Sequence, residues 1–268
     1  RLAGCPQSPD LTHDPPPIIG SSFASGPRTC TLEAVAYALL QTSLSRPNVE
    51  ALERAFATGR GLTPADARFV ADDAFGILAR DLSMEDALFL QQSLGGEGIE
   101  IEVTPESDLP RLPDPQLFDF IECAPDALII YDPLERTVRV PWASVSVIAA
   151  GFDQRELKLE LVIGDAETRY QSNLERLRFD RMPQYIDPSE PENTGESYRK
   201  LVRDLIQHCP IALQNQAAHV LGQRNLEGDV TSAITYPRTM AYTEELTWLL
   251  WRVRIALAPR LRPRDQAM

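Results

Sequence analysis

The feature that most constrains the fold of this chain is a pair of helix start signals enclosing a short apolar segment. Residues 63–66 place a threonine at the N-cap, a proline at the first helical position and an aspartate at the third, which signals a helix N-terminus. Residues 83–86 repeat the pattern with serine at the cap. Residues 76–82 between them, which begin with an apolar run, are typical of a short strand. Together these signals predict two helices with a strand between them.

The flanking segments extend this succession to a βααβαβ module over residues 32–104. Residues 34–40 form an apolar run that predicts a buried strand, although its periodicity also fits a helix. Asn48 is the predicted N-cap of a helix with one apolar face. Residues 99–103 alternate apolar side chains with glutamates, which predicts a half-buried strand.

Three stretches of this module resemble the C-terminal domain of the bacterial ribosomal stalk protein. They are residues 61–67, 82–87 and 98–103. The ClpS adaptor, which delivers substrates to the Clp protease, has the same element order. Both families are binding modules and not enzymes, so the resemblance implies a two-layer α+β domain with a binding role, in a chain of bacterial origin.

The family-specific binding residues do not carry over. The stalk domain meets translation factors through a lysine-bearing surface around its second helix, where this chain has Asp66, Asp72 and Asp73. ClpS holds an N-terminal amine with an Asn-Asp-Asp stretch, and residues 41–43 of this chain are Gln-Thr-Ser. The resemblance therefore implies the fold and a binding role, but neither specific partner.

Beyond a proline-rich linker predicted at residues 105–116, the pattern becomes that of short strands. The predicted strands are residues 118–123, 127–131, 137–140, 145–149, 157–163 and 167–171. Residues 132–135 and 163–166 are predicted hairpin connections, and such spacing is typical of a small antiparallel sandwich or barrel. Residues 136–145 resemble the central strands of bacterial pleckstrin-homology-like domains.

Helical patterns return near the C-terminus. A helix is predicted over residues 194–209 with Thr194 or Ser197 as its cap, and apolar segments follow at residues 211–221 and 246–257. The predicted class is thus α+β: a βααβαβ two-layer domain, then a pleckstrin-homology-like antiparallel β domain over residues 117–209. Residues 210–268 form a helical extension with an arginine-rich tail.

Charge is distributed unevenly along the chain. The 39 acidic and 26 basic residues give a formal net charge of −13, which argues against nucleic acid as the partner. Residues 32–180 hold 27 acidic and 13 basic residues, whereas residues 181–268 hold 10 and 11. The sequence therefore predicts a polarised chain that presents an acidic module.

The predicted binding residues are the arginines of the C-terminal tail, Arg252, Arg254, Arg260, Arg262 and Arg264. Such a basic run attracts an acidic partner, an anionic membrane surface or the acidic module of the same chain. Alternatively, these arginines have no binding role. The apolar residues around them are typical of a buried helix, and the arginines would then simply emerge at its end.

No catalytic residue, metal site or cofactor is predicted. His208 and Cys209 are adjacent, but neighbouring helical positions point about 100° apart, which is unsuitable for a shared metal. The glycines of residues 95–98 follow a helix and precede a strand, the opposite order to a phosphate-binding loop. The carboxylate pairs at 72–73, 85–86 and 244–245 are typical of helix caps and solvated faces.

Residues 1–31 predict an irregular arm rich in proline, serine and glycine. Four widely spaced cysteines predict reduced thiols and a cytoplasmic location. Residues 2–5 have the form of a lipoprotein cleavage box, so lipid anchoring through Cys5 is the alternative.

The resulting hypothesis is a non-catalytic adaptor or scaffold that binds a protein or peptide through a groove or helix face of the first domain. One alternative is an enzyme with a site at the junction of the two domains, with the acidic positions and Tyr131, Trp142 and His208 as candidates. Another is a membrane-associated binding protein.

Overall fold

A computed structural model describes residues 35–44, 46–57, 62–73, 75–153, 156–223 and 234–261, with side chains of the last helix described as far as Ala256. The strands are β1 (Tyr37–Gln41), β2 (Ile77–Leu82), β3 (Ile101–Pro105), β4 (Pro115–Leu117), β5 (Phe120–Cys123), β6 (Ala127–Tyr131), β7 (Thr137–Pro141), β8 (Val145–Asp153), β9 (Glu156–Ile163), β10 (Thr168–Asn173), β11 (Leu213–Gln214) and β12 (Thr235–Tyr236). The helices are α1 (Val49–Ala57), α2 (Ala67–Asp73), α3 (Met84–Gly96), α4 (Thr194–His208), α5 (Gln216–Gly222) and α6 (Thr239–Leu261). The predicted α+β class is confirmed.

The first part of the chain has a three-stranded antiparallel sheet in the order β2-β1-β3. Helices α1, α2 and α3 contribute to the core on one face of this sheet, where Leu39 meets Leu52, Phe56, Leu90 and Leu94. The order of elements is the one that the capping and periodicity signals predict. Alternation of side chains along β1 leaves a second apolar face on the opposite side of the sheet.

The second face of this sheet packs against the rest of the protein. Ala38, Leu40 and Ile77 belong to the large hydrophobic core that also contains the strands of the β-rich region and α6. Residues after Glu33 form one compact unit. The predicted linker at residues 105–116 is part of this compact unit. Its Leu109 is buried in the shared core, and β4 begins within it at Pro115.

The β-rich region consists of two sheets. One has the order β5-β6-β7 and is antiparallel throughout. In the other, β8, β9 and β10 are antiparallel, β4 pairs in parallel with β10, and β11 and β12 pair in parallel with β8. The hairpins predicted at residues 132–135 and 163–166 connect β6 to β7 and β9 to β10.

Two details of the helical region differ from the prediction. The N-cap of α4 is Asn193, whose side chain accepts a hydrogen bond from the Glu196 backbone N–H at 3.1 Å, and not the predicted Thr194 or Ser197. Asn is a stronger cap than Thr, and Ser197 lies inside the helix, where its hydroxyl faces the Asn193 carbonyl oxygen at 3.4 Å. Helix α6 begins at Thr239, seven residues before its predicted apolar segment. Its first turns include Glu245, which is fully buried and not solvated as predicted.

Two hydrogen-bond donors from other elements compensate for the burial of the Glu245 carboxyl. The Tyr236 hydroxyl donates to Oε2, and the Gln216 backbone N–H donates to Oε1 at 2.7 Å. Asn215 Nδ2 donates in turn to the Tyr236 hydroxyl at 2.8 Å and to the Ala150 carbonyl at 2.6 Å. This network ties α6 to α5, β12 and β8. Among the described residues, no helix combines the length and apolarity needed to cross a bilayer.

Candidate functional site

Helix α3 is fixed on the protein by its inner face and its caps. Ser83 accepts a hydrogen bond from the Asp86 backbone N–H at 3.1 Å, which satisfies an N–H group that the helix leaves unpaired. Ala87, Leu90 and Leu94, spaced three and four residues apart, are buried in the core. The core therefore fixes which face of α3 points to solvent.

The opposite face of α3 carries three large apolar side chains in solvent. Met84, Leu88 and Phe89 are 47%, 48% and 41% exposed. Met84 and Leu88 are one helical turn apart, so their side chains are surface neighbours, and the Phe89 side chain points about 100° from that of Leu88 on the exposed side of the helix. We call these three residues, with Glu85 and Asp86, the α3 surface. Grouped exposed apolar side chains of this kind mark interaction sites.

The α3 surface is acidic as well as apolar. Helix α3 contains Glu85 and Asp86 and no lysine or arginine. The whole module, residues 32–104, has 12 acidic and 5 basic residues. At the far end of α3, Glu97 is already engaged by Arg54 of α1, with 2.7 Å between Nη2 and Oε2. The surface therefore matches a partner that has both apolar and basic groups.

The junction between the first sheet and α6 contains a cavity of about 330 Å³. Its ionisable lining residues are Arg80, Glu106 and Arg111. Arg80 is paired with Glu244 at 3.1 Å, and the Asp81 backbone N–H donates to Glu106. Of the candidates for an enzyme at this junction, the acidic Glu106 lines the cavity, whereas Tyr131, Trp142 and His208 do not.

The structure separates Tyr131 from the other two enzyme candidates. The Tyr131 ring stacks on Phe120, with centroids 4.1 Å apart, and its hydroxyl donates to Glu122 at 3.2 Å. Trp142 and His208 are together, with stacked rings whose centroids are 4.6 Å apart.

His208 also belongs to a polar cluster with Cys123, Tyr185 and Asp204. The Tyr185 hydroxyl donates to Asp204 Oδ2 at 2.6 Å and lies 3.3 Å from Cys123 Sγ. His208 Nδ1 lies 3.3 Å from Asp204 Oδ1. Burial raises the pKa of the Cys123 thiol to about 12, so the free thiol is protonated at neutral pH and is not an activated nucleophile.

The predicted arginine site is only partly within the described residues. Arg252 lies on α6 with its guanidinium carbon 5.6 Å from the centre of the Trp248 ring, and Arg254 is exposed on the same helix. Side chains two positions apart on a helix point about 200° apart, so these two do not form one site. Arg260 belongs to α6 by its backbone, whereas Arg262 and Arg264 lie outside the described residues.

The sequence analysis names neither the α3 surface nor the Cys123 cluster. Only the α3 surface has a signal in the sequence. Residues 87–90 are four consecutive apolar residues, which a helix cannot bury on one face because successive side chains turn by about 100°. The Cys123 cluster joins distant segments and has no local signature. Comparison with family models, curated proteins and solved structures finds no match to this chain.

Proposed function

We propose that this protein is a non-catalytic binding module whose α3 surface holds a basic amphipathic segment of a partner protein. The observation that carries the proposal is the exposure of Met84, Leu88 and Phe89 on a helix that is fixed by its opposite face. A helix already locked by its core loses little conformational freedom on binding, which favours affinity.

The chemistry of the α3 surface supports a partner with apolar side chains between basic ones. An aromatic and two flexible apolar side chains provide buried area, and a few well-packed side chains carry most of the energy of an interface. Glu85 and Asp86 border them without basic neighbours on the same helix, so lysines or arginines of the partner would be attracted. A second copy of this chain is a poorer occupant, because two identical acidic surfaces repel each other.

The proposal is tested on the full chain with a short fluorescent amphipathic peptide of leucine and lysine. We expect the wild-type protein to bind it, and the Leu88→Ala/Phe89→Ala variant to bind at least about tenfold more weakly. Fluorescence anisotropy measures both affinities. Added salt should weaken the interaction, because exposed charges are screened.

A matched control variant replaces Ile211 and Leu134 by alanine, since each is 72% exposed and neither belongs to α3. This control should bind the peptide as the wild type does. A leucine–glutamate peptide should not bind. Equal loss of affinity in both variants, or equal binding of the two peptides, would exclude the α3 surface as the binding site.

We further propose that this binding takes place in the cytoplasm of a bacterium. The support is the wide spacing of the four cysteines and the finding that Cys123 and Cys209 are both free thiols. Cys5, the residue that an anchored form would use, lies outside the described residues. Fractionation of native cells tests the location, and recovery of the protein with the membranes would contradict it.

A further inference from the structure

Three potential metal ligands converge where α4 ends beside β5. Asp204 and His208 are one turn apart on α4, so both side chains lie on the same face of the helix. Cys123 is the last residue of β5. One ligand atom from each of these three residues lies within 4.8 Å of the others. We propose that Cys123, Asp204 and His208 form a binding site for a divalent transition metal ion of the zinc type.

The spacing is close to what such an ion requires. Zinc bonds of about 2.0–2.3 Å in a tetrahedron place neighbouring ligand atoms roughly 3.3–3.6 Å apart. The cluster therefore needs about 1 Å of closure, which small side-chain rotations supply. Cys123 and Asp204 are half-buried and His208 is exposed, so an ion reaches the site directly from solvent.

Neighbouring groups hydrogen-bond to Asp204 and His208 in the way that outer-sphere groups orient the ligands of metal sites. The Tyr185 hydroxyl donates to Asp204 Oδ2 at 2.6 Å, whereas Oδ1 faces His208 Nδ1 at 3.3 Å. His208 Nδ1 faces the Asp204 carbonyl oxygen at 2.9 Å. With the ring proton assigned to Nδ1, the Asp204 carbonyl oxygen and Oδ1 both accept from it, and Nε2 is the ring nitrogen that would bind the ion. Metal-bound histidines commonly donate their second ring N–H to a carbonyl or carboxylate.

Trp142 fixes the orientation of the histidine ring. Its indole stacks on the His208 ring, and its Nε1–H donates to the Ala124 carbonyl oxygen at 2.9 Å, directly after Cys123. The same tryptophan thus connects the segment that carries the thiol with the ring on α4.

The donor set selects the kind of ion. A thiol, an imidazole and a carboxylate suit zinc and its neighbours in the transition series, whereas magnesium and calcium prefer oxygen ligands alone. The thiolate and carboxylate together balance the charge of a divalent ion. Binding must release the Cys123 proton, so affinity should rise with pH. Three protein ligands leave a fourth coordination position for water.

The test uses the full chain, reduced and freed of metal with a chelator, and titrated with zinc against a chromophoric competitor. We expect one ion per chain. Cys123→Ser, Asp204→Asn and His208→Gln should each weaken binding by more than about 100-fold, beyond the loss caused by outer-sphere partners. Tyr185→Phe should weaken it by about 10- to 100-fold.

Two control variants separate this cluster from other thiols and imidazoles. Cys209→Ala removes the thiol that follows His208 in the chain. The Sγ atom of Cys209 faces the Trp142 carbonyl oxygen at 3.9 Å. His219→Gln removes the exposed imidazole of α5. Both should retain wild-type zinc affinity. Absence of one-to-one binding, or undiminished binding by Cys123→Ser, would overturn the proposal.

A spectroscopic measurement on the wild-type protein keeps the test decisive even where a variant does not fold. X-ray absorption of the zinc-loaded chain should show one sulfur at about 2.3 Å, with the remaining ligands nitrogen or oxygen at about 2.0–2.2 Å. Zinc bound without sulfur, or with more than one sulfur, would also overturn the proposal. This inference does not depend on the proposed function of α3.

Discussion

Trp142 and His208 stack with their ring centroids 4.6 Å apart and their planes inclined by 24°. Trp142 lies in the short helical turn between β7 and β8, and His208 ends α4. The indole of Trp142 is held by its own hydrogen bond to Ala124. Stacking on this fixed indole therefore restricts the rotation of the exposed His208 ring. Such an arrangement is expected where the ring has to keep one orientation.

Zinc should stabilise the folded protein if the Cys123 cluster binds it. At a free zinc concentration about 100 times Kd, binding to the folded state alone adds about 2.7 kcal/mol. For a chain of this size we expect the melting temperature to rise by about 5–10 °C. Differential scanning fluorimetry measures the rise, with Cys123→Ser as the control that should show none. An equal rise in that variant would mean that zinc acts elsewhere.

Gly76→Ala should destabilise the protein by about 2–4 kcal/mol. Gly76 has φ of +91°, and a Cβ atom there would lie 2.3 Å from Trp248 Cγ. Backbone strain and overpacking each cost about 1–3 kcal/mol. The indole cannot simply withdraw, because its Nε1–H donates to the Gln41 carbonyl oxygen at 2.7 Å. Urea unfolding measures the loss.

Gly95→Ala is the matched control for that substitution. Gly95 lies in the last turn of α3, and no heavy atom is within 4 Å of the position of its Cβ. We expect a gain of about 0.5–1 kcal/mol, because alanine restricts the unfolded chain more than glycine does. Equal losses for the two alanine variants would contradict the role assigned to Trp248.

Arg169→Met should cost about 3–5 kcal/mol, because it leaves a buried charge without its partner. Glu160 is fully buried, and Arg169 binds it in two places, Nε to Oε2 at 2.5 Å and Nη2 to Oε1 at 2.8 Å. Arg54→Met, which breaks the exposed pair with Glu97, should cost much less, because solvent screens that pair. Chemical unfolding compares the two, and similar losses would show that burial does not decide the cost.

The order of elements could be predicted because it depends on local signals. The predicted strand 127–131 coincides with β6, since alternation and turn residues within one short segment define it. The large core could not be predicted, because β1 and β2 are apolar on both faces and nothing local says what covers the second face. The Cys123 cluster was missed for the same reason: chain topology alone brings β5 to the end of α4.

Glu245 shows how tertiary packing overrides a local interpretation, and it leads to a pH prediction. Burial raises the pKa of this carboxyl to about 7, although the Tyr236 and Gln216 donors favour its charged form. The folded protein therefore keeps a proton that the unfolded chain has already lost. This contribution to stability is complete below the ordinary glutamate pKa near 4.5 and disappears as pH rises to about 7.

In that window we expect the wild-type protein to lose about 1.4 kcal/mol per pH unit relative to Glu245→Gln, about 3 kcal/mol in total. The glutamine is neutral at every pH and has nearly the same shape, so it removes the titration and little else. Urea unfolding of both proteins at a series of pH values gives the difference. A difference that does not change with pH would mean that Glu245 is ionised in the folded state, and that its hydrogen bonds from Tyr236 and Gln216, not its protonation, compensate for burial.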